Sequence, residues 1–151
     1  MVPFGSISGV RSIVSRLTEQ RCGNLAEVAN CPTQFQQYIP GVDVRVHVAG
    51  DAIFATEITS PADDYRYASR AGVGFGMAAA TLPPDLEDRC RAMVRGMGLR
   101  LAGIDFRRTP TGEWYCLEVN PSPGFTFFEA GTGQPIAAAV ANLLVALDRT
   151  R

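Results

Sequence analysis

Asp105, Glu118 and Asn120 are the residues whose types and spacing best suit chemistry. Asp105 lies in Ile104-Asp105-Phe106, and the other two lie in Leu117-Glu118-Val119-Asn120. On a strand, Glu118 and Asn120 share a face. If Thr111-Gly112 is a two-residue turn, Pro110 pairs with Glu113, and counting outward puts Asp105 directly opposite Glu118. A three-residue loop with a bulge at Gly112 would offset the pair by one and leave them near neighbours. Facing carboxylates repel across a sheet, so a proton, an arginine or a cation must offset them. Two carboxylates and the Asn120 amide oxygen are hard ligands for Mg²⁺ or Mn²⁺, with room left for phosphate oxygens and water. The competing reading is an exposed sheet face whose acids pair with Arg107 or Arg108. Spacing alone leaves the two level. The tight Asn120-Pro-Ser-Pro-Gly124 turn favours the metal, because it fixes the strand end rigidly.

Several elements must position these residues. Leu99 to Phe106 and Glu113 to Val119 read as strands around the Thr109–Gly112 turn. Gln34 to Ile39 reads as a strand ended by Pro40-Gly41. Asp43 to Val48 alternates, with Val44, Val46 and Val48 on one face and Asp43, Arg45 and His47 on the other. His47 on that polar face reads as a surface residue. Gly50-Asp51 suits a hairpin turn into a returning strand, Ala52 to Ile58. Residues 59–81 carry little regular signal and read as a polar, glycine-rich loop. The clearest helix follows Pro83-Pro84, with Leu86, Cys90, Met93, Val94 and Met97 on one face and Gly98 as its stop. An apolar helix from about Gln134 to Leu147 closes the chain. Short pieces at Ser12–Ser15 (strand) and Asn24–Ala29 (helix, capped by Asn24) complete the reading. Trp114, Tyr115 and Phe125 to Phe128 read as packing residues. The sum is α+β, a mainly antiparallel sheet with flanking helices.

Composition narrows the chemistry. The chain has 151 residues, enough for one domain, with 46% hydrophobic and 19% charged residues, so it can bury a core. A net charge of -1 argues against a nucleic-acid partner held by a basic surface. All 14 basic residues are arginine, which closes off lysine chemistry. The four cysteines and one histidine form no zinc pattern, and the cysteines read as reduced, mostly buried thiols. No apolar stretch is long enough for a membrane partner, and no signal peptide is present, which points to the cytoplasm.

Together, Leu99-Arg-Leu-Ala-Gly-Ile-Asp-Phe106 and Cys116-Leu-Glu-Val-Asn-Pro-Ser-Pro-Gly124 resemble the ATP-grasp superfamily. Gln36 to Arg45 is similar to its hinge strand and following Asp-x-Arg, and Asp64-Tyr-Arg66 to the arginine step before a glycine-rich loop. The resemblance runs from about residue 4 to 147 and is nearest to ribosomal-protein glutamate ligases and graspetide (microviridin-type) peptide maturases. It implies that Asp105, Glu118 and Asn120 hold Mg²⁺ (or Mn²⁺) bridging the ATP phosphates. It gives adenine to the backbone of Gln37 and Ile39, with Tyr38 in the same hinge. Asp43 would sit near the ribose, and Arg66 would contact the transferring phosphate or the acyl phosphate. The implied activity is ATP-dependent joining of a carboxylate to an amine or hydroxyl, on a peptide, protein or amino-acid substrate.

The front of the chain departs from that pattern. The superfamily carries an N-terminal domain and a lysine-bearing strand ending in Lys-Pro before a glycine-rich phosphate loop. Here Pro3 to Gly9 looks like the loop, but Val2 stands in the lysine's place. Residues 1–151 therefore read as one ATP-grasp domain, its C-terminal portion, lacking the N-terminal domain and the lysine strand. The alternative function is a non-catalytic or truncated ATP/Mg-binding half that needs a partner chain, either a complementary N-terminal half or a homo-oligomer.

Overall fold

The computed structural model describes residues 16–19, 25–30, 33–62, 65, 68 and 72–149. These fall into two compact units, 1–38 with 60–75 and 39–59 with 76–151.

In the second unit, β1 (Val42–Ala49), β2 (Ala52–Thr59), β3 (Gly76–Ala80), β4 (Leu101–Arg108) and β5 (Trp114–Asn120) form one five-stranded sheet in the order β3-β2-β1-β4-β5. Every pairing is antiparallel. The helices are α1 (Pro84–Gly96), α2 (Thr126–Thr132) and α3 (Ile136–Asp148). The α+β reading with an antiparallel sheet therefore holds.

Val44, Val46 and Val48 alternate along β1, and all three are fully buried with Ala102 and Ile104 of β4. They meet Leu86, Cys90 and Val94, spaced by four along α1. Pro84 starts α1 where its missing N–H costs nothing, and Asp85 and Glu87 offset the positive helix end. Gly98, at φ 72°, ends the turn after it. Met97, placed on the apolar face by periodicity, is exposed because it already lies past the helix end.

Three segments differ from the sequence reading. Residues 33–40 form no strand. Both edges of β1 are taken by β2 and β4, so the segment has no ladder to join there, and Gln34 to Tyr38 are exposed. Conversely, Gly76–Ala80 is a strand, although Gly-Met-Ala-Ala-Ala has neither alternation nor β-propensity; pairing with β2 makes it one. The aromatic piece after Phe125 is the helix α2, stopped by Gly133 at φ 70°.

The first unit holds a 3-10 helix, Leu25–Asn30, one residue on from the helix read at 24–29. Within it the Arg16 guanidinium lies 4.1 Å from the Tyr38 ring centroid, and Tyr65 meets Phe75 at 6.2 Å. Ser12–Ser15, Asn24, Cys22, Cys31 and the loop at Pro3–Gly9 lie outside the described residues. Cys90 is free and buried, its thiol pushed up to about 11 by burial, whereas Cys116 is free and exposed.

Candidate functional site

The sheet face opposite α1 gathers the expected residues. Thr56, Arg45, Asp105 and Glu118 form one row across β2, β1, β4 and β5, and Phe54, His47, Gly103 and Asn120 form the next. Asp105 does face Glu118, by a route the turn count did not foresee. The loop has three residues: Thr109 N–H donates to Glu113 C=O at 2.9 Å, with Gly112 at φ 86°. That loop alone would leave the pair one residue out of step. A bulge at Leu117 makes the correction, since Phe106 pairs with Cys116 while Asp105 pairs with Glu118.

An arginine lies beside the acids, and it comes from β1. Arg45 Nε is 2.8 Å from Asp105 Oδ1. Arg107 Nη1 is 2.8 Å from Asp43 Oδ1, and Arg108 Nη2 is 2.6 Å from Glu57 Oε2. Asp43, Arg45, Asp105 and Arg107 thus form a checkerboard of alternating charge on neighbouring strands. Its four charges cancel, and Glu118 adds a further negative charge at the exposed end of its row.

The turn after β5 is fastened at two points. Asn120 Oδ1 accepts the Ser122 N–H at 2.8 Å, which keeps one lone pair of that oxygen for another partner. His47 Nε2–H donates to the Gly124 carbonyl at 3.2 Å. His47 is fully buried, contrary to the surface reading, because α2 covers this face and sets Phe128 5.0 Å from the imidazole. Burial first, then the Arg45 charge, lowers the His47 pKa from 6.5 to about 4, against the opposing pull of the Gly124 hydrogen bond. A neutral imidazole follows. Phe128 is a packing residue as expected, and Trp114 packs edge-on against Phe106 at 5.9 Å. Tyr115 and Phe127 are exposed.

The donor set fits Mg²⁺ or Mn²⁺. Among the described residues no three His, Cys, Asp or Glu side chains cluster as a metal-holding group. Two carboxylates with one amide oxygen make an open set, suited to a cation that also takes phosphate oxygens and water.

The remaining candidates divide between the units. Gln37 and Tyr38 belong to the first, and Ile39 and Asp43 to the second. The Ile39 carbonyl accepts Arg107 Nε–H at 3.0 Å. Arg107 thereby ties Ile39 and Asp43 to β4. Arg66 lies outside the described residues. Sequence reasoning offered Arg107 or Arg108 to Asp105 and Glu118, whereas Arg45 takes Asp105 and Arg107 takes Asp43. The signal was the β1–β4 register, which joins residues some sixty positions apart and leaves no local trace.

Known proteins share this fold. A probable alpha-L-glutamate ligase from Photobacterium profundum is 33% identical over 108 residues, covering 70% of this chain and 35% of that protein. The macrocyclase MdnC from Microcystis aeruginosa MRC, solved with the precursor peptide MdnA, is 27% identical, with a TM-score of 0.76 over 90% of this chain and 43% of that one. The ATP-grasp ligase PsnB, solved with a precursor variant, Mg and ADP, is 26% identical, with a TM-score of 0.61 over 77% of this chain and 35% of that one. The chain spans about a third of the length of the curated relatives it matches. The family profile described as the RimK-like ATP-grasp domain matches residues 5–144, and the chain belongs to that family.

Proposed function

We propose that this chain forms the cation- and nucleotide-binding portion of an ATP-dependent ligase that joins a carboxylate to an amine or a hydroxyl through an acyl phosphate. A peptide or protein is the substrate class, and the cytoplasm is the compartment; no helix among the described residues is long and apolar enough to cross a membrane. The observation that carries the reading is the pairing of Asp105 with Glu118 on one sheet face, with Asn120 one row away.

Asp105, Glu118 and Asn120 hold Mg²⁺ (or Mn²⁺), which supplies neutralising charge to the ATP phosphates when bound. Gln37, Tyr38 and Ile39 take the adenine, and Asp43 the ribose. Arg66 contacts the transferred phosphate or the acyl phosphate, where a planar guanidinium can make two parallel hydrogen bonds. The substrate carboxylate oxygen takes the phosphoryl group and ADP leaves. The amine or hydroxyl then attacks the acyl carbon and phosphate leaves. Positioning and charge do most of this work, and the groups named supply part of both.

A second reading is favoured by one observation: the chain contains no lysine. Under it, residues 1–151 bind Mg-ATP without themselves carrying out the transfer, and groups outside them, such as those of a partner chain, complete the phosphate site. Titration calorimetry with Mg-ATP tests what both readings share. The wild type should bind, and Glu118→Ala should bind at least about tenfold more weakly, since even groups behind a ligand are worth that much. Equal heats for the two proteins would sink the site.

A further inference from the structure

Arg45 is the one arginine buried on this sheet face among the described residues: it is 9% exposed, and its charge cannot be relieved by losing a proton. Its Nε lies 2.8 Å from Asp105 Oδ1 but off the line of a directed hydrogen bond, so charge holds the pair more than geometry does. Its Nη1 is buried and has no hydrogen-bond partner among the described residues. Its guanidinium carbon lies 5.2 Å from the Phe128 ring centroid. Space has been kept for it as well. A Cβ on Gly103 would come within 2.5 Å of Arg45 Nη1 and 2.7 Å of Pro123 Cβ. A charge buried with an unsatisfied N–H is expensive, and a fold gains little stability from such a pair. Packing alone would be served better by an apolar side chain at this position.

We propose that Arg45 is a positioning residue that acts as a built-in cation: it balances Asp105 against Glu118 when no divalent ion is bound, and holds Asp105 in place to receive one. The inference rests on the ligand assignment above. Asp105 sits between Arg45 and Glu118 in a single cross-strand row, so its carboxylate faces a fixed positive charge on one side and a like charge on the other. Without Arg45 the two acids would repel across β4 and β5 with less to offset them. A divalent cation placed between them would then do for stability what the guanidinium does in the wild type.

Thermal unfolding of the whole chain without nucleotide, with and without millimolar Mg²⁺ or Mn²⁺, tests this. Arg45→Met should lose on the order of 10 °C in Tm. Either divalent ion should restore much of the loss, and so should the second substitution Asp105→Asn, which removes one of the repelling charges. Arg45→Lys keeps the charge, so its smaller loss should respond little to Mg²⁺. A merely structural arginine would give a loss that neither metal nor Asp105→Asn repairs, or an Arg45→Lys that responds to Mg²⁺ as Arg45→Met does. Either result overturns the proposal, as does an Arg45→Met chain that Asp105→Asn fails to rescue. Because no nucleotide is present, the outcome is separate from the Mg-ATP titration. A wild type that ignores Mg-ATP overturns the ligase reading and leaves this test intact.

Discussion

At the scale of single residues, burial decides protonation. His47 sits on a strand face that alternation marks as polar, yet Phe128 and the Asn120–Gly124 turn close over it. Its neutral form is the one the fold accepts, because a charged imidazole would be desolvated beside Arg45. The sign follows from the direction of the change. The folded pKa is about 4, below the ordinary 6.5, so between these values the unfolded chain binds the proton and the folded one does not. His47 therefore costs no pH-dependent stability above about pH 6.5, and stability falls as the pH drops from there toward 4, by about 3 kcal/mol in all. Urea unfolding of the wild type and of His47→Gln across that range should show a steeper fall for the wild type. Carboxylates titrate in both proteins, so the difference between the two curves isolates the imidazole. Parallel curves would mean that His47 takes its proton as readily folded as unfolded.

At the scale of elements, the hairpin of β4 and β5 separates what a sequence reveals from what it hides. Strand parity placed Glu118 and Asn120 on one face, and residue types suggested an acid pair; both are local properties. The pairing of Asp105 with Glu118 was also reached by counting, but the count passed through a two-residue turn that does not form. The three-residue loop shifts the register by one, and the Leu117 bulge shifts it back. A bulge depends on the neighbouring ladder, so nothing within β5 announces it. The same holds for β3, a strand through its β2 partner, and for Arg45 and Arg107, whose acids lie on another strand. The α1 helix was legible because its periodicity, its proline start and its glycine stop are all local. This division predicts where the hairpin tolerates change. Gly112, at φ 86° with nothing within 4 Å of an added Cβ, is required by conformation and not by space. Gly112→Ala should cost about 1 kcal/mol in denaturant unfolding. Mg-ATP affinity should not change, because the ladder and its bulge hold Asp105 against Glu118. A matching loss of affinity would show that the turn, and not the ladder, sets the register.

At the scale of the whole molecule, the charge inventory is the constraint. Phosphoryl transfer from ATP needs cations on the phosphates, and the chain supplies 14 arginines and no lysine. On the sheet, Arg45, Arg107 and Arg108 are already engaged with Asp105, Asp43 and Glu57. They balance acids within the fold, so their charge is largely committed before a nucleotide arrives. Guanidinium is also a poor substitute for an ammonium that must reach a phosphate as a compact point charge. In the family resemblance, Val2 occupies the position of such a lysine, ahead of the Pro3–Gly9 loop; both lie outside the described residues. If the cation ligands are in place and a phosphate contact is what the chain lacks, supplying the ammonium should strengthen binding with no other change. Val2→Lys should then tighten Mg-ATP by about tenfold, the worth of one hydrogen bond to a charged group, while Val2→Gln, similar in length and uncharged, should not. The gain should require the metal site, so it should vanish in Val2→Lys combined with Glu118→Ala. Calorimetry on the wild type, Glu118→Ala and these three variants decides it: equal affinities for Val2→Lys and Val2→Gln would remove the phosphate contact from that position. A gain that survives Glu118→Ala would mean that lysine attracts ATP by charge alone, away from Asp105, Glu118 and Asn120.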